Sequence, residues 1–180
     1  MSKGLELISK IIVEGKDVSE IFGVLSEHPE AIDDSDQYGL TAAHFGALSS
    51  QKTLQALLDA GASLDGQDYK GNTPLHYAMY CRNGSDAKVE MLLKNGADPD
   101  ISGEYGMTPL HCAVALGRED TVDTLLKLGA NPRAYNSDGM RPLDMPMPGS
   151  RMDVMLRDAT RNHDIGRAYE PKAAAAAMAM

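Results

Sequence analysis

Thr73-Pro74-Leu75-His76 and Thr108-Pro109-Leu110-His111 are one tetrapeptide written twice, 35 residues apart, and the chain around each copy repeats as well. A weaker copy, Thr41-Ala42-Ala43-His44, stands 32 residues before the first, and a decayed one, Arg141-Pro142-Leu143-Asp144, stands 33 residues after the second. Each start follows a glycine two residues earlier (Gly39, Gly71, Gly106, Gly139), and three are followed by an apolar run that closes on Gly61-Ala62, Gly96-Ala97 or Gly129-Ala130. A repeat of this length is one supersecondary unit that cannot bury both its faces alone, so the units must stack.

Each unit has a local physical reading. Thr73 and Thr108 suit a helix N-cap, with proline behind them at N1, where its fixed φ fits the first turn and its missing N–H costs nothing. Histidine then falls at N3, within reach of the threonine hydroxyl. Leu75 and Leu110 point inward. The second helix of each unit shows helical apolar spacing at Leu54, Leu57 and Leu58; at Val89, Leu92 and Leu93; and at Val122, Leu125 and Leu126. Each pattern ends at a glycine placed for a left-handed C-terminal cap. Over residues 35 to 145 the chain resembles the ankyrin repeat family.

That resemblance implies an all-α solenoid of stacked helix pairs with projecting β-turn or hairpin loops, about four repeats long. The expected division is an N-terminal capping helix pair at 1–34, repeats at 35–67, 68–102 and 103–135, a truncated repeat or cap at 136–161, and a flexible Ala/Met-rich tail at 162–180. The first repeat has Ala42 in place of proline and is one residue short. The second carries two extra residues near 81–86, in the loop between its helices.

At the N-terminus Leu5, Ile8, Ile11 and Ile12 form one helical face, and Val18, Ile21, Phe22 and Leu25 suggest a second helix ending at His28-Pro29. This pair reads as the divergent cap that an open stack needs. The other reading leaves the Leu5 to Val13 face open for a partner. At the far end Pro146 and Pro148 stop the fourth unit's first helix after barely one turn. A helix resumes behind Ser150, paired with Asp153, and sets Met152, Met155, Leu156 and Ala159 on one face.

The 180 residues carry a net charge of −9, which argues against nucleic-acid binding and favours a protein partner with a basic or neutral surface. The two cysteines make neither a disulfide framework nor a metal site: Cys112 reads as a small buried hydrophobe, and Cys81 as an ordinary free thiol near a helix end. Glu6, Lys10 and Glu14 interrupt the first apolar stretch, so no secretory signal is legible, and no run is long enough to span a membrane. A cytoplasmic monomer is expected; a route into a host cell that needs no signal peptide stays open.

His44, His76 and His111 occupy the same place in successive units. Helices packed about 8–10 Å apart hold equivalent side chains too far apart for a shared zinc with ligand distances of ~2 Å, so a structural role is expected and no metal. Phosphate loops, zinc-helix motifs and nucleophile elbows are missing from the sequence. Asp33, Asp34, Asp36, Asp65, Asp68, Asp98 and Asp100 lie in turns, where bonding to the local backbone is the default. No catalytic residue or cofactor is assigned, and the chain reads as non-enzymatic.

In the ankyrin family the turn tips and the exposed side of the first helices line a concave recognition face. The resemblance therefore points to Tyr38, Leu40, Leu48, Tyr69, Lys70, Asn72, Tyr80, Glu104, Tyr105, Met107, Leu116, Asp138 and Met140 as partner-binding residues. Four of the seven tyrosines, Tyr38, Tyr69, Tyr105 and Tyr135, fall in the turns, and such rings give large contact area at low rotamer entropy. The same rings could instead pack across adjacent turns. The resemblance implies a protein–protein interaction module, as adaptor, scaffold or inhibitor. The alternatives are a non-catalytic targeting or regulatory subunit of an enzyme complex, and a structural homodimer through the N-terminal helices.

Overall fold

Each threonine start does open a helix, and each glycine-alanine pair does close one. The computed structural model describes residues 2–80 and 85–164. Its helices are α1 (Lys3–Glu14), α2 (Ser19–Glu27), α3 (Ala42–Leu48), α4 (Gln51–Asp59), α5 (Pro74–Tyr80), α6 (Ser85–Lys94), α7 (Pro109–Ala115), α8 (Glu119–Lys127) and α9 (Arg151–Asp164). Among the described residues no strand forms, and Ser35 and Thr41 make one isolated antiparallel bridge.

Gly61, Gly96 and Gly129 take φ of 84°, 97° and 97°. That left-handed step lets the N–H of Ala62, Ala97 and Ala130 donate back to the carbonyls of Leu57, Leu92 and Leu125 at 3.0, 3.1 and 2.9 Å, the 6→1 bond of a Schellman cap. The second helices of the first three repeats thus end in the same cap.

The helices form two layers. The first helices pack α3 on α5 on α7, the second pack α4 on α6 on α8 on α9, and each pair packs across. One apolar core runs from Ala47 and Leu54 through Leu75, Met79, Leu92, Leu110 and Leu125 to Leu156. A second holds Leu5, Ile8, Ile11, Ile12 and Ile21 against Ala42, Ala43 and Leu57 of the first repeat. Of the Leu5 to Val13 face, Leu5, Ile8, Ile11 and Ile12 are thus covered by their own chain while Val13 stands exposed, which overturns its reading as an open docking surface. Of the apolar residues predicted to share the second helix's inner face, Phe22 is 46% exposed and Val18 and Leu25 are half-buried. Phe22 follows the buried Ile21 and is rotated about 100° from it round the helix, so both cannot face inward.

In the fourth unit the first helix shrinks to a 3-10 turn at Pro142–Asp144. Ser150 Oγ then accepts the Asp153 N–H at 3.2 Å while the Asp153 carboxylate accepts the Gly149 N–H at 2.8 Å, and α9 lays Met152, Leu156 and Ala159 on the stack. It runs three residues past the expected end of the cap. Cys81, the rest of the loop through 84 and the tail from 165 onward lie outside the described residues.

Lys88 of α6 is 2% exposed. Its ammonium donates to the carbonyls of Ala47 and Ser49 at 2.6 and 2.8 Å, satisfying the C-terminal end of α3 in the preceding repeat, where a cation also suits the helix dipole. Among the described residues no helix is long and apolar enough to cross a membrane.

Candidate protein-binding face

Three nearly identical hydrogen-bond relays set the geometry of the turn side. The backbone N–H of Thr41, Thr73 and Thr108 donates to Nδ1 of His44, His76 and His111 at 3.1, 3.1 and 3.2 Å. Since Nδ1 accepts, Nε2 carries the proton, and it donates at 3.0 Å to the carbonyl of Asn72, Met107 and Met140, each in the next repeat. Burial holds all three imidazoles below the ordinary histidine pKa, which keeps this neutral tautomer. Both ring nitrogens are occupied, so none is free for a metal.

The tips are built by side chains that bond their own backbone. Asp36 Oδ1 accepts from Tyr38 and Leu40, Asp68 Oδ1 from Lys70 and Asn72, and Asn136 Oδ1 from Asp138 and Met140, all at 2.8–3.0 Å. Burial works against the Asp68 charge, but the Tyr77 hydroxyl and these N–H donors hold its carboxyl below the usual range. Three other aspartates depart from the expectation of local bonding. Asp33, Asp65 and Asp100 accept the N–H of Ser63, Asp98 and Asn131 at 2.8, 2.9 and 2.8 Å, each in the following unit. The stack is therefore sewn twice, once by imidazoles and once by carboxylates.

The third turn breaks the pattern. Gly103 stands where the others have Asp or Asn, because a Cβ there would lie 2.4 Å from Asn72 Oδ1 and 2.9 Å from His76 Nε2. Asn72 Oδ1 instead accepts the Glu104 N–H at 3.1 Å. Tyr105 follows at φ 57°, the only non-glycine residue with positive φ among those described, and its carbonyl accepts the Ser137 N–H at 2.9 Å. A left-handed backbone costs an ordinary residue about 1 kcal/mol or more, so Tyr105 is held there by its surroundings.

Of the sequence-predicted residues, Tyr38, Leu48, Tyr69, Lys70, Tyr80, Tyr105, Leu116, Asp138 and Met140 are exposed. Exposure reaches 62% for Tyr38, 78% for Tyr69, 60% for Tyr80 and 74% for Tyr105, so these rings are not consumed by packing between turns. Leu40, Asn72, Glu104 and Met107 are half-buried. Asn72 spends its side chain on the next turn and on Asp68, and Met107 packs against the core. Lys70 and Glu104 pair at 3.2 Å across repeats. Leu48, Tyr80 and Ala115 each lie seven residues after a threonine start and form an exposed stripe along the first helices.

Tyr80, Tyr105, Met107, Cys112 and Leu116 line a cavity of about 190 Å³ between the second and third units, together with Asn72, Glu104 and Ala115. Cys112, expected as core alone, is buried, and burial pushes its thiol up to about 11, yet it also lines this cavity together with Tyr80. Its place, four residues after Thr108 and one helical turn from Ala115 and Leu116, is the signal that would have put it on this face.

The family profile described as "Ankyrin repeats (3 copies)" matches residues 3–102 and 71–136. The chain belongs to the ankyrin repeat family. Ankyrin repeats are in general non-catalytic modules that bind protein partners. Similar curated proteins include the transient receptor potential cation channel subfamily A member 1 homolog of Caenorhabditis elegans, 34% identical over 61% of this chain and 9% of that protein. Ankyrin repeat and SOCS box protein 16 of Mus musculus is 43% identical over 36% of this chain and 14% of its own length. The ADP-ribosylation factor GTPase-activating protein AGD4 of Arabidopsis thaliana is 38% identical over 42% and 9%. The match spans no more than a seventh of any of these three proteins.

Proposed function

We propose that this ankyrin array is an adaptor, scaffold or inhibitor that holds a protein partner on the face made by its turn tips and first helices. The observation that supports the reading is that four large rings, Tyr38, Tyr69, Tyr80 and Tyr105, stand open to solvent on the turn tips and first helices. Exposed aromatics gathered on one rigid face mark an interaction surface, whereas scattered ones do not. An excess of 26 acidic over 17 basic residues favours a partner with a basic or neutral contact surface. Catalysis is left to the partner, and the array acts as a monomer.

A photo-crosslinking amino acid at Tyr69, at Leu48 or at Gln55 on the exposed side of α4 tests this in cells that express the protein. Capture of one protein from Tyr69 and Leu48 but not from Gln55 is expected. Capture from Gln55 in their stead moves the interface off this face.

A further inference from the structure

Resting on that reading of the face, we propose that the cavity between the second and third turns is a subsite for one arginine side chain of the partner protein. Its walls are two exposed tyrosines, Tyr80 and Tyr105, its floor is Met107, Cys112 and Leu116, and among the described residues its lining carries one carboxylate, Glu104, and no basic group. That combination matches an amphipathic cation: an apolar stem against Met107 and Leu116, a flat guanidinium on the tyrosine faces, and a fork of N–H donors to the carboxylate. A leucine would fill the floor and leave the carboxylate unused, and an acidic group would meet Glu104 directly.

Glu104 already shows that its place takes a cation. Both of its carboxylate oxygens lie 3.2 Å from the Lys70 ammonium, which arrives from outside the cavity and is itself 65% exposed. Such a surface pair is worth at most about 1 kcal/mol, so exchanging ammonium for a bidentate guanidinium costs little. The site is also held ready. Asn72 pins the Glu104 N–H, and Tyr105 is kept at a left-handed φ of 57° in the one tip that lacks the Asp or Asn tie of the others. Strain that a glycine would relieve, retained at a residue lining a cavity, is what a positioned contact requires. The net charge of −9 adds attraction at longer range.

The probes are acetyl-arginine methylamide, its citrulline analogue of nearly equal shape without the charge, and acetyl-leucine methylamide. Each is titrated at millimolar concentration into protein with labelled Met and Leu methyls, followed by NMR. Arginine should shift the Met107 and Leu116 methyls saturably, at least fivefold more tightly than citrulline, and the affinity should fall about fivefold in Glu104→Gln and in Tyr105→Ala. Both positions are open to solvent at their tips, and an unchanged methyl spectrum elsewhere confirms the fold of each variant. Equal response to citrulline or leucine overturns the arginine assignment, as does arginine binding unaffected by Glu104→Gln. Silence at Met107 with every probe removes the subsite. The crosslinks at Tyr69 and Leu48 stand or fall separately, so loss of the subsite is distinguishable from loss of the face.

Discussion

The second and fourth units begin alike and finish differently. In the second, the Thr73 N–H donates to one nitrogen of His76, and the opposite nitrogen reaches forward to the Met107 carbonyl. In the fourth, the Arg141 N–H donates to Asp144 Oδ2 at 2.9 Å, but the remaining carboxylate oxygen turns back to the Arg141 guanidinium at 2.9 Å. An imidazole has a donor and an acceptor on opposite sides of one rigid ring, so it can close its own turn and hold the next. A carboxylate carries only acceptors and closes on itself. The relay runs through the first three units and is absent from the fourth, where Asp144 stands at N3 in place of histidine.

The sharpest way to break this comparison is to remove packing in the middle and at the end. Leu110→Ala, wholly buried with a unit on each side, should cost about 3–5 kcal/mol, while Leu143→Ala, half-buried in the 3-10 turn, should cost about 1 kcal/mol. Urea melts giving equal losses would count against a coupled interior with a loose end.

Removing the relay itself comes next. His76→Ala strands the Thr73 N–H and the Met107 carbonyl and should cost about 2–4 kcal/mol; Asp144→Ala breaks an exposed local pair and should cost less than about 1 kcal/mol. A larger loss from Asp144→Ala in the same melts would reverse the roles assigned here.

Much of this architecture is legible in the sequence, since period, N-caps, proline breaks and C-terminal glycines are local chemistry. Thr73-Pro74-Leu75-His76 can be read as a helix start because every requirement lies within four residues. What escapes is whatever depends on the neighbour. That Asp65 bonds Asp98 rather than its own turn, that Lys88 is buried under α3, and that Gly103 is forced by Asn72 all follow from distances set only after stacking. Of the proposed face, the tyrosines could be picked out by their place in the turns, but the cavity could not, because Tyr80 and Cys112 come from different repeats.

A pH titration sharpens the comparison further. The folded imidazoles lie below the unfolded histidine value of about 6.5, so the unfolded chain takes up protons first as pH falls. Stability is fully present above about pH 6.5 and declines below it. The melting temperature should therefore drop between pH 7 and 5, and less steeply in His76→Ala. Identical slopes would mean that the rings titrate alike in both states.

Grafting the interior start onto the fourth unit, Arg141→Thr with Asp144→His, should change stability by less than about 0.5 kcal/mol, since no further turn follows among the described residues to meet the new Nε2. A clear gain on thermal denaturation would show that a partner for it exists after all. A comparably small effect belongs to the odd tip. Tyr105→Gly should raise stability by about 0.5 kcal/mol as the left-handed strain is lifted and partly offset by chain entropy, while arginine binding weakens. Loss of stability would indicate that the ring braces the turn.

Lys88 has a use for the experimenter. An ammonium sealed between α6 and the end of α3 cannot meet an amine-acylating reagent while the first and second repeats are closed, yet Lys52, Lys70 and Lys94 can at once. Once the fast amines have reacted, the slow acylation of Lys88, read by mass spectrometry, counts how often that one joint in the stack comes apart. The chain thus carries its own clock for the parting of two repeats, with no probe introduced.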